Sequence, residues 1–431
     1  MNLRMPNRLR GTVEVPGDKS ISHRAVLLNA IAEGNAVITN FLTGADCLSS
    51  VACMRALGVN IQVDGTTVHV EGRGLRGLQE AQNVLDCGNS GTTLRLLAGL
   101  LAGQPFFSVL TGDASLRSRP MARVADPLRA LGARIDGRRD GTLAPLAIRG
   151  ARMHGGDYDL PIASAQVKSA LLLAGLGGDG MLRLTGKIAS RDHTERMLAA
   201  MGVDITAGAK EIRLYPPAHP VLPYPLSLRV PGDPSSAAFW WVAGSIHPDA
   251  EITTVGVCLN PTRTGALDVL HAMGADIRIF NERMEGQEPV GDIRICSAAL
   301  KGVQIGGDLI PRLIDEIPVL AVAAAHAQGE TTITDAAELR AKESDRITTV
   351  ATELGKMGVE VEPRPDGMVI AGGGELQGAH VESYGDHRLA MALAVAALAA
   401  EDTTTIADAG SVDVSYPKFW AHLEELRGSA Q

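Results

Sequence analysis

The sequence predicts an α/β protein of two domains, each assembled from three similar repeats. Three observations carry this reading. The chain has 431 residues, more than one ordinary core organises. A helical stretch closing on Leu-Gly or Met-Gly, followed by a hydrophobic strand signal, recurs along its length. One six-residue phrase occurs in two forms, Val15-Pro16-Gly17-Asp18-Lys19-Ser20 and Val230-Pro231-Gly232-Asp233-Pro234-Ser235.

The helix endings fall at Leu57-Gly58, Leu131-Gly132, Met201-Gly202, Met273-Gly274 and Met357-Gly358, with a weaker sixth at Gly428, so the spacing is 70 to 84 residues. Each glycine suits the position just past a helix C-terminus, where the backbone turns left-handed. A second helix, rich in Ala and Leu, precedes it in each copy, for example Ser90 to Leu101, Ala165 to Leu176, Ile317 to His326 and Leu389 to Ala400. Strand signals follow these helices at Ala36 to Thr39, Met181 to Thr185, Thr331 to Thr334 and Thr403 to Ile406. Each copy therefore reads as helix, strand, helix, strand, strand.

The two related phrases each lie between a strand signal and a helix and mark the domain boundaries. One domain is expected over residues 17–229, the other over 1–16 plus 230–431. The last copy stops after its second helix and lacks strands. The segment Leu9 to Val15 is the expected donor of one of them, which takes the N-terminus into the C-terminal domain. Six such repeats also suit an open solenoid used as a binding scaffold. Here, however, the polar clusters differ from copy to copy, which suggests divided labour.

Composition narrows the function. A net charge of −9 argues against general nucleic-acid binding, which needs a broad basic surface. The odd set Cys47, Cys53, Cys87, Cys258 and Cys296 lacks C-x-x-C spacing and reads as reduced thiols of a cytoplasmic protein. Residues Met1 to Arg10 have no apolar core of a signal peptide. The longest apolar run, Leu389 to Ala400, is too short for a membrane span.

The unusual residues concentrate at helix starts: Lys19-Ser20 with Arg24, Asn89 to Thr92 with Arg95, Arg119-Pro120, Ser164 to Gln166 and Ser190 to Asp192. They continue at Asp315-Glu316, Lys342-Glu343 with Arg346, and Gly385 to Arg388. A helix N-terminus offers free N–H groups and the positive end of the dipole, and so attracts anions. Capping accounts for Ser, Asn and Asp there, Asn89 and Ser235 among them. It does not account for Lys19, Arg24, Arg119, Lys342, Arg346 and Arg388, whose charge is unfavourable at that end. Recruited to one place, these cations would bind phosphate and carboxylate. Asp315, opening an apolar helix amid cations, is either a salt-bridge partner or a general base. Glu343 is either a counter-ion or an acid, and a lone histidine such as His387 is ordinarily a packed one. No phosphate-binding Gly-x-x-x-x-Gly-Lys-Ser/Thr loop, dinucleotide fingerprint or metal-ligand spacing is present.

In order along the chain, Pro16 to Arg24, Gly88 to Arg95, Arg119-Pro120-Met121, Ser164 to Ser169, Ser190 to Glu195, Asn260 to Arg263, Asp315-Glu316, Lys342 to Arg346 and Gly385 to Arg388 resemble the 5-enolpyruvylshikimate-3-phosphate synthase family. The likeness covers nearly the whole chain. It implies the enolpyruvyl transferase fold, an inside-out α/β barrel in which each domain holds three βαβαββ-type units and the active site lies in the interdomain cleft. It implies a monomer without metal or organic cofactor, acting on phosphoenolpyruvate and shikimate 3-phosphate in chorismate and aromatic amino-acid biosynthesis, with neither nucleic acid nor membrane as partner.

Carried over residue by residue, the resemblance puts Lys19 on both substrates. Ser20, Arg24, Ser164, Gln166, Lys342 and Arg191 would hold shikimate 3-phosphate. Gly91, Arg119, Gln166, Arg346 and Arg388 would hold phosphoenolpyruvate. Asp315 would take the proton of the attacking hydroxyl, and Glu343, with Lys19, would protonate the methylene carbon. Three departures stand out: Val414 where some members carry Lys, Ala165 within Ser-Ala-Gln, and His193 in place of Tyr. Gly91 matches the form of the family that binds glyphosate. A sibling family uses UDP-N-acetylglucosamine as acceptor and has a reactive Cys before its Arg-Pro pair. The corresponding loop here, Gly112 to Ser118, has none.

Overall fold

The computed structural model describes residues 1–218 and 222–428. They form two compact units. One comprises Met1–Pro16, Pro231–Met284 and Glu288–Gln431, the other Gly17–Val230 with Glu285–Gln287. Each unit contains three repeats, so the copies do not run on as an open solenoid.

The helix-end glycines behave as their sequence context dictates. Gly58, Gly132, Gly202, Gly274, Gly358 and Gly428 all have positive φ, between 73° and 98°. They follow the helices Ala45–Ala56, Ala122–Ala130, His193–Ala200, Gly265–Ala272, Arg346–Lys356 and Phe419–Arg427. A side chain at any of them would strain the backbone.

The complete repeats are βαβαββ. In the second, for instance, Leu85–Asp86 leads into the helix Gly91–Ala102, the strand Phe107–Thr111, the helix Ala122–Ala130 and the strands Arg134–Gly137 and Leu143–Arg149. Its sheet runs parallel between the first two strands and antiparallel through the rest. Among the described residues five sheets have four strands and one has three.

The leading strands show where sequence reasoning erred. Leu9–Val13 does not complete the last repeat. It pairs in parallel with Ala250–Cys258 in the fourth, with Leu9 opposite Ala250. The last repeat is instead joined by Asn2–Leu3, antiparallel to Thr404–Ala407. Correspondingly, Leu228–Arg229 pairs in parallel with Glu33–Thr39 in the first repeat. The strand before Pro16-Gly17 thus serves the fourth repeat, and the strand before Pro231-Gly232 serves the first. The two related phrases are the points at which the chain leaves one unit and returns. Strand pairing is a long-range choice, invisible to local periodicity.

The Ala/Leu helices form the centre of each unit. Gly91–Ala102 and Ala165–Gly175 pack on each other, as do Pro234–Ile246, Ile317–His326 and His387–Ala397. Every residue of Pro234–Ile246 and of His387–Ala397 is buried. Small residues permit the close approach: a Cβ on Gly99 would lie 2.1 Å from the carbonyl oxygen of Ala170. Five aromatic residues, Phe239, Trp240, Tyr416, Phe419 and Trp420, form a cluster in which Trp240 stacks on Phe419 at 5.0 Å and donates from Nε1 to Tyr416 Oη at 2.8 Å. All five cysteines are free, and no helix among the described residues is long and apolar enough to cross a membrane.

Candidate active site

In the 17–230 unit, three central helices begin with the residues singled out by sequence. Asp18 caps the helix Lys19–Ala30 by accepting from Ile21 N at 2.9 Å. Ser90 caps Gly91–Ala102 and Ser164 caps Ala165–Gly175. Cap and first turn are dictated locally. What binds the three starts together is a set of long-range polar contacts.

Lys19 Nζ donates to Asp46 Oδ2 at 2.9 Å, and the Asp46 carbonyl accepts from Thr93 Oγ1 at 3.3 Å. This links the first helix to the one that starts at Gly91. Arg24 is buried and donates to Ser20 O, Thr194 Oγ1 and Ser169 Oγ. Arg191 Nη1 donates to Ser20 Oγ at 3.3 Å. Arg119 donates to both the carbonyl and Oδ1 of Asn89, and to Ser115 Oγ. Arg95 bridges the Ser164–Gln166 helix start and the Arg119-Pro120 pair: Nη1 donates to Gln166 Oε1 at 2.6 Å and Nη2 to the Pro120 carbonyl at 3.2 Å. Gln166 Nε2 in turn donates to Thr92 Oγ1 at 3.0 Å. Lys19, Ser20, Ser164, Gln166 and Arg191 keep partial exposure above this buried framework. The whole is a cationic patch of prearranged geometry, suited to an anion carrying hydroxyl groups.

His23 lies beneath the patch. Burial pushes its pKa down to about 3, so the ring is neutral, and Nδ1 shares a hydrogen bond with Ser50 Oγ at 2.8 Å. It belongs to the framework rather than to proton transfer.

The other unit holds the second set. Asp315 lies in the turn before Ile317–His326. Its Oδ1 is 3.1 Å from Lys342 Nζ and 3.5 Å from Arg346 Nη1, and its Oδ2 is 4.0 Å from Arg388 Nη2. Arg388 Nη1 also donates to the Asp315 carbonyl at 3.4 Å. Three cations thus surround one half-buried carboxylate. Arg346 Nη2 donates to Glu343 Oε2 at 2.7 Å.

Asp386 organises this cluster. It caps His387–Ala397 by accepting from Arg388 N at 3.0 Å, and accepts from Arg346 Nε at 2.8 Å, Arg346 Nη2 at 3.1 Å and Ser344 Oγ at 3.0 Å. Burial opposes the Arg346 charge, but Asp386, Glu343 and Asp315 outweigh it and raise the guanidinium pKa above its ordinary value. Burial likewise opposes the Asp386 charge, and Arg346 more than offsets it, holding that carboxyl below its ordinary range. This is the charge compensation that the sequence left open for cations at helix starts.

Each of the six cations nominated at helix starts falls in one of these two sets. Some companions were not foreseen. Asp46 carried no signal, being one acidic residue in the first turn of an ordinary helix. Asn89 is not the cap that its type suggests: Ser90 caps, and Asn89 holds Arg119 while donating to Asp113 Oδ2 at 2.7 Å. Ser235 is not a cap either; Asp233 caps, and Ser235 Oγ bonds the buried Glu316.

The family model for EPSP synthase (3-phosphoshikimate 1-carboxyvinyltransferase) matches residues 3–423. The chain belongs to the EPSP synthase family. It is 71% identical over 420 residues to a 3-phosphoshikimate 1-carboxyvinyltransferase of Herpetosiphon aurantiacus, covering 97% of each chain. It is 67% identical to one of Roseiflexus sp., covering 98% of each. Among solved structures, EPSP synthase from Acinetobacter baumannii superposes with a TM-score of 0.87 at 42% identity, over 99% of this chain and 98% of that one. The enolpyruvyl transferase NikO from Streptomyces tendae, at 19% identity and a TM-score of 0.79 over 99% of this chain and 96% of that one, shares the fold. The enolpyruvyl transferase architecture expected of the family is therefore the architecture of this chain, and the scaffold reading is set aside.

Proposed function

We infer that the chain transfers the enolpyruvyl group of phosphoenolpyruvate to the 5-hydroxyl of shikimate 3-phosphate, releasing phosphate. The observation that carries the chemistry is Asp315, a carboxylate within 4.0 Å of Lys342, Arg346 and Arg388. Anionic substrates that draw these cations to themselves leave its carboxylate as the base.

The acceptor is held by the 17–230 unit. Arg24 and Arg191 flank Ser20, so their guanidinium groups and its hydroxyl present donors to the shikimate phosphate and ring oxygens. Ser164 and Gln166, at the start of one helix, add polar contacts, and Lys342 adds a cation. Phosphoenolpyruvate is held by Arg119 and Lys19 at its phosphate and by Arg346 and Arg388 at its carboxylate, with the small Gly91 leaving room beside Arg95 and Arg119.

The reaction needs an acid and a base together, because the enol phosphate carbon accepts a nucleophile only once its methylene neighbour takes a proton. Glu343, held by Arg346, supplies that proton with Lys19. Asp315 removes the proton of the 5-hydroxyl, whose oxygen bonds to C2. The tetrahedral intermediate then loses phosphate as the methyl carbon returns a proton and the double bond reforms. The fixed cations stabilise the charge that develops on phosphate, and clamping both anions supplies orientation.

Phosphate release by the purified protein, with phosphoenolpyruvate plus either shikimate 3-phosphate or UDP-N-acetylglucosamine, tests the reading. Release with the shikimate ester alone is expected. Release with the sugar nucleotide alone would keep the chemistry and overturn the acceptor.

A further inference from the structure

Beneath the proposed acceptor contacts lies a buried ion pair that the reaction does not use. Lys168 Nζ is 2.7 Å from Glu195 Oε1, with side chains 2% and 3% exposed. The same ammonium donates to the carbonyls of Ile188 at 3.2 Å and Ser190 at 3.1 Å. Its three donors are therefore divided between one carboxylate and two backbone oxygens. Those oxygens belong to the turn that ends in Arg191. We propose that the Lys168–Glu195 pair is a positioning element for the acceptor, setting Arg191 and Arg24 at the separation that shikimate 3-phosphate requires; this rests on the functional reading above.

Two features support it. First, the neighbours of the pair in sequence are the partners of Arg24. Ser169 Oγ and Thr194 Oγ1 lie 2.7 Å apart, and each accepts from Arg24 at 2.7 Å. By joining the helix Ala165–Gly175 to the first turn of His193–Ala200, the pair fixes those hydroxyls relative to one another. One ammonium thus governs the guanidinium that rests on them and the turn carrying the other guanidinium. Second, the pair is a poor device for stability. Glu195 Oε2 is buried with no hydrogen-bond partner among the described residues. A buried ion pair with incomplete satisfaction is commonly matched in stability by well-packed apolar side chains. What an apolar pair cannot do is hold two carbonyls at a set distance.

The test replaces both charges at once, Lys168→Met with Glu195→Leu, so that neither is left buried alone. The folded double variant is expected to show a KM for shikimate 3-phosphate about tenfold higher, equivalent to about 1.4 kcal/mol, with the KM for phosphoenolpyruvate within twofold of the parent and kcat largely kept. Hydrogen exchange at the amides of residues 189–192 should accelerate while the central helices stay protected. An unchanged KM for shikimate 3-phosphate, or an equal rise in both KM values, would overturn the proposal. If the double variant does not fold, Glu195→Asp decides. Withdrawing the carboxylate by one methylene should draw the ammonium off the two carbonyls and raise the same KM about threefold; no rise rejects the pair as a positioning element. A parent protein that releases no phosphate with shikimate 3-phosphate would refute the functional reading instead, and the exchange at 189–192 would still report whether the pair holds the turn.

Discussion

Asp386→Asn is the sharpest probe of how the second set is held together. The change is isosteric and keeps one carbonyl oxygen, enough to accept from Arg388 N and preserve the helix cap. It replaces the other oxygen by an NH2 group facing Arg346 and Ser344, so an acceptor becomes a donor among donors. Arg346, 1% exposed, loses its fully buried counter-ion. Breaking a buried pair from one side costs about 3–5 kcal/mol. The retained cap and the remaining Glu343 contact point to the lower figure, about 3 kcal/mol. For a unit of this size, each kcal/mol moves the midpoint by about 2–4 °C, so the expected fall is about 6–12 °C.

The pH dependence sharpens this. The folded Asp386 carboxyl lies below its ordinary range. Its stabilisation is therefore complete above the unfolded-state value of about 3.9 and disappears as the pH falls through the lower folded value. The parent should lose this increment only in that acid window, whereas the variant lacks it throughout. Differential scanning calorimetry of both proteins from pH 7 down to pH 3 reads the difference. A midpoint within 2 °C of the parent at pH 7, or a gap between the proteins that does not narrow in acid, would refute the view that Asp386 carries the Arg346 charge.

Asp315→Asn should lower kcat by about 10²–10⁴ while substrate binding, measured by calorimetry, stays close to the parent; undiminished turnover would exclude Asp315 as the base. Arg388→Ala should raise the KM for phosphoenolpyruvate more than that for shikimate 3-phosphate, and steady-state kinetics with each substrate varied in turn would expose the reverse order. The parent should be inhibited by glyphosate at limiting phosphoenolpyruvate, and Gly91→Ala should lessen that inhibition, because its Cβ would stand 2.7 Å from Arg95 Nη1 and 3.7 Å from Arg119 Nη1. Full parent turnover in millimolar inhibitor would count against the assignment of Gly91.

Local chemistry explains what could be read from the chain alone. A glycine after Leu or Met at a regular period is a helix ending, because only glycine turns left-handed there without cost; all six do so. Cations at helix starts pointed to anions because capping has no use for them, and every residue so nominated lies in one of the two polar sets. These rules act within a few residues, where sequence distance and spatial distance agree.

The tertiary structure decided the pairings. Leu9–Val13 suits any sheet edge by pattern, and only packing assigns it to the fourth repeat and leaves Asn2–Leu3 for the last. Lys19 and Asp46 are 27 residues apart, Arg346 and Asp386 are 40 apart, and Lys168 and Glu195 lie on different helices. No periodicity connects such partners. They are selected by the cost of burying a charge unmatched, and that cost exists only once the helices have brought the charges out of water.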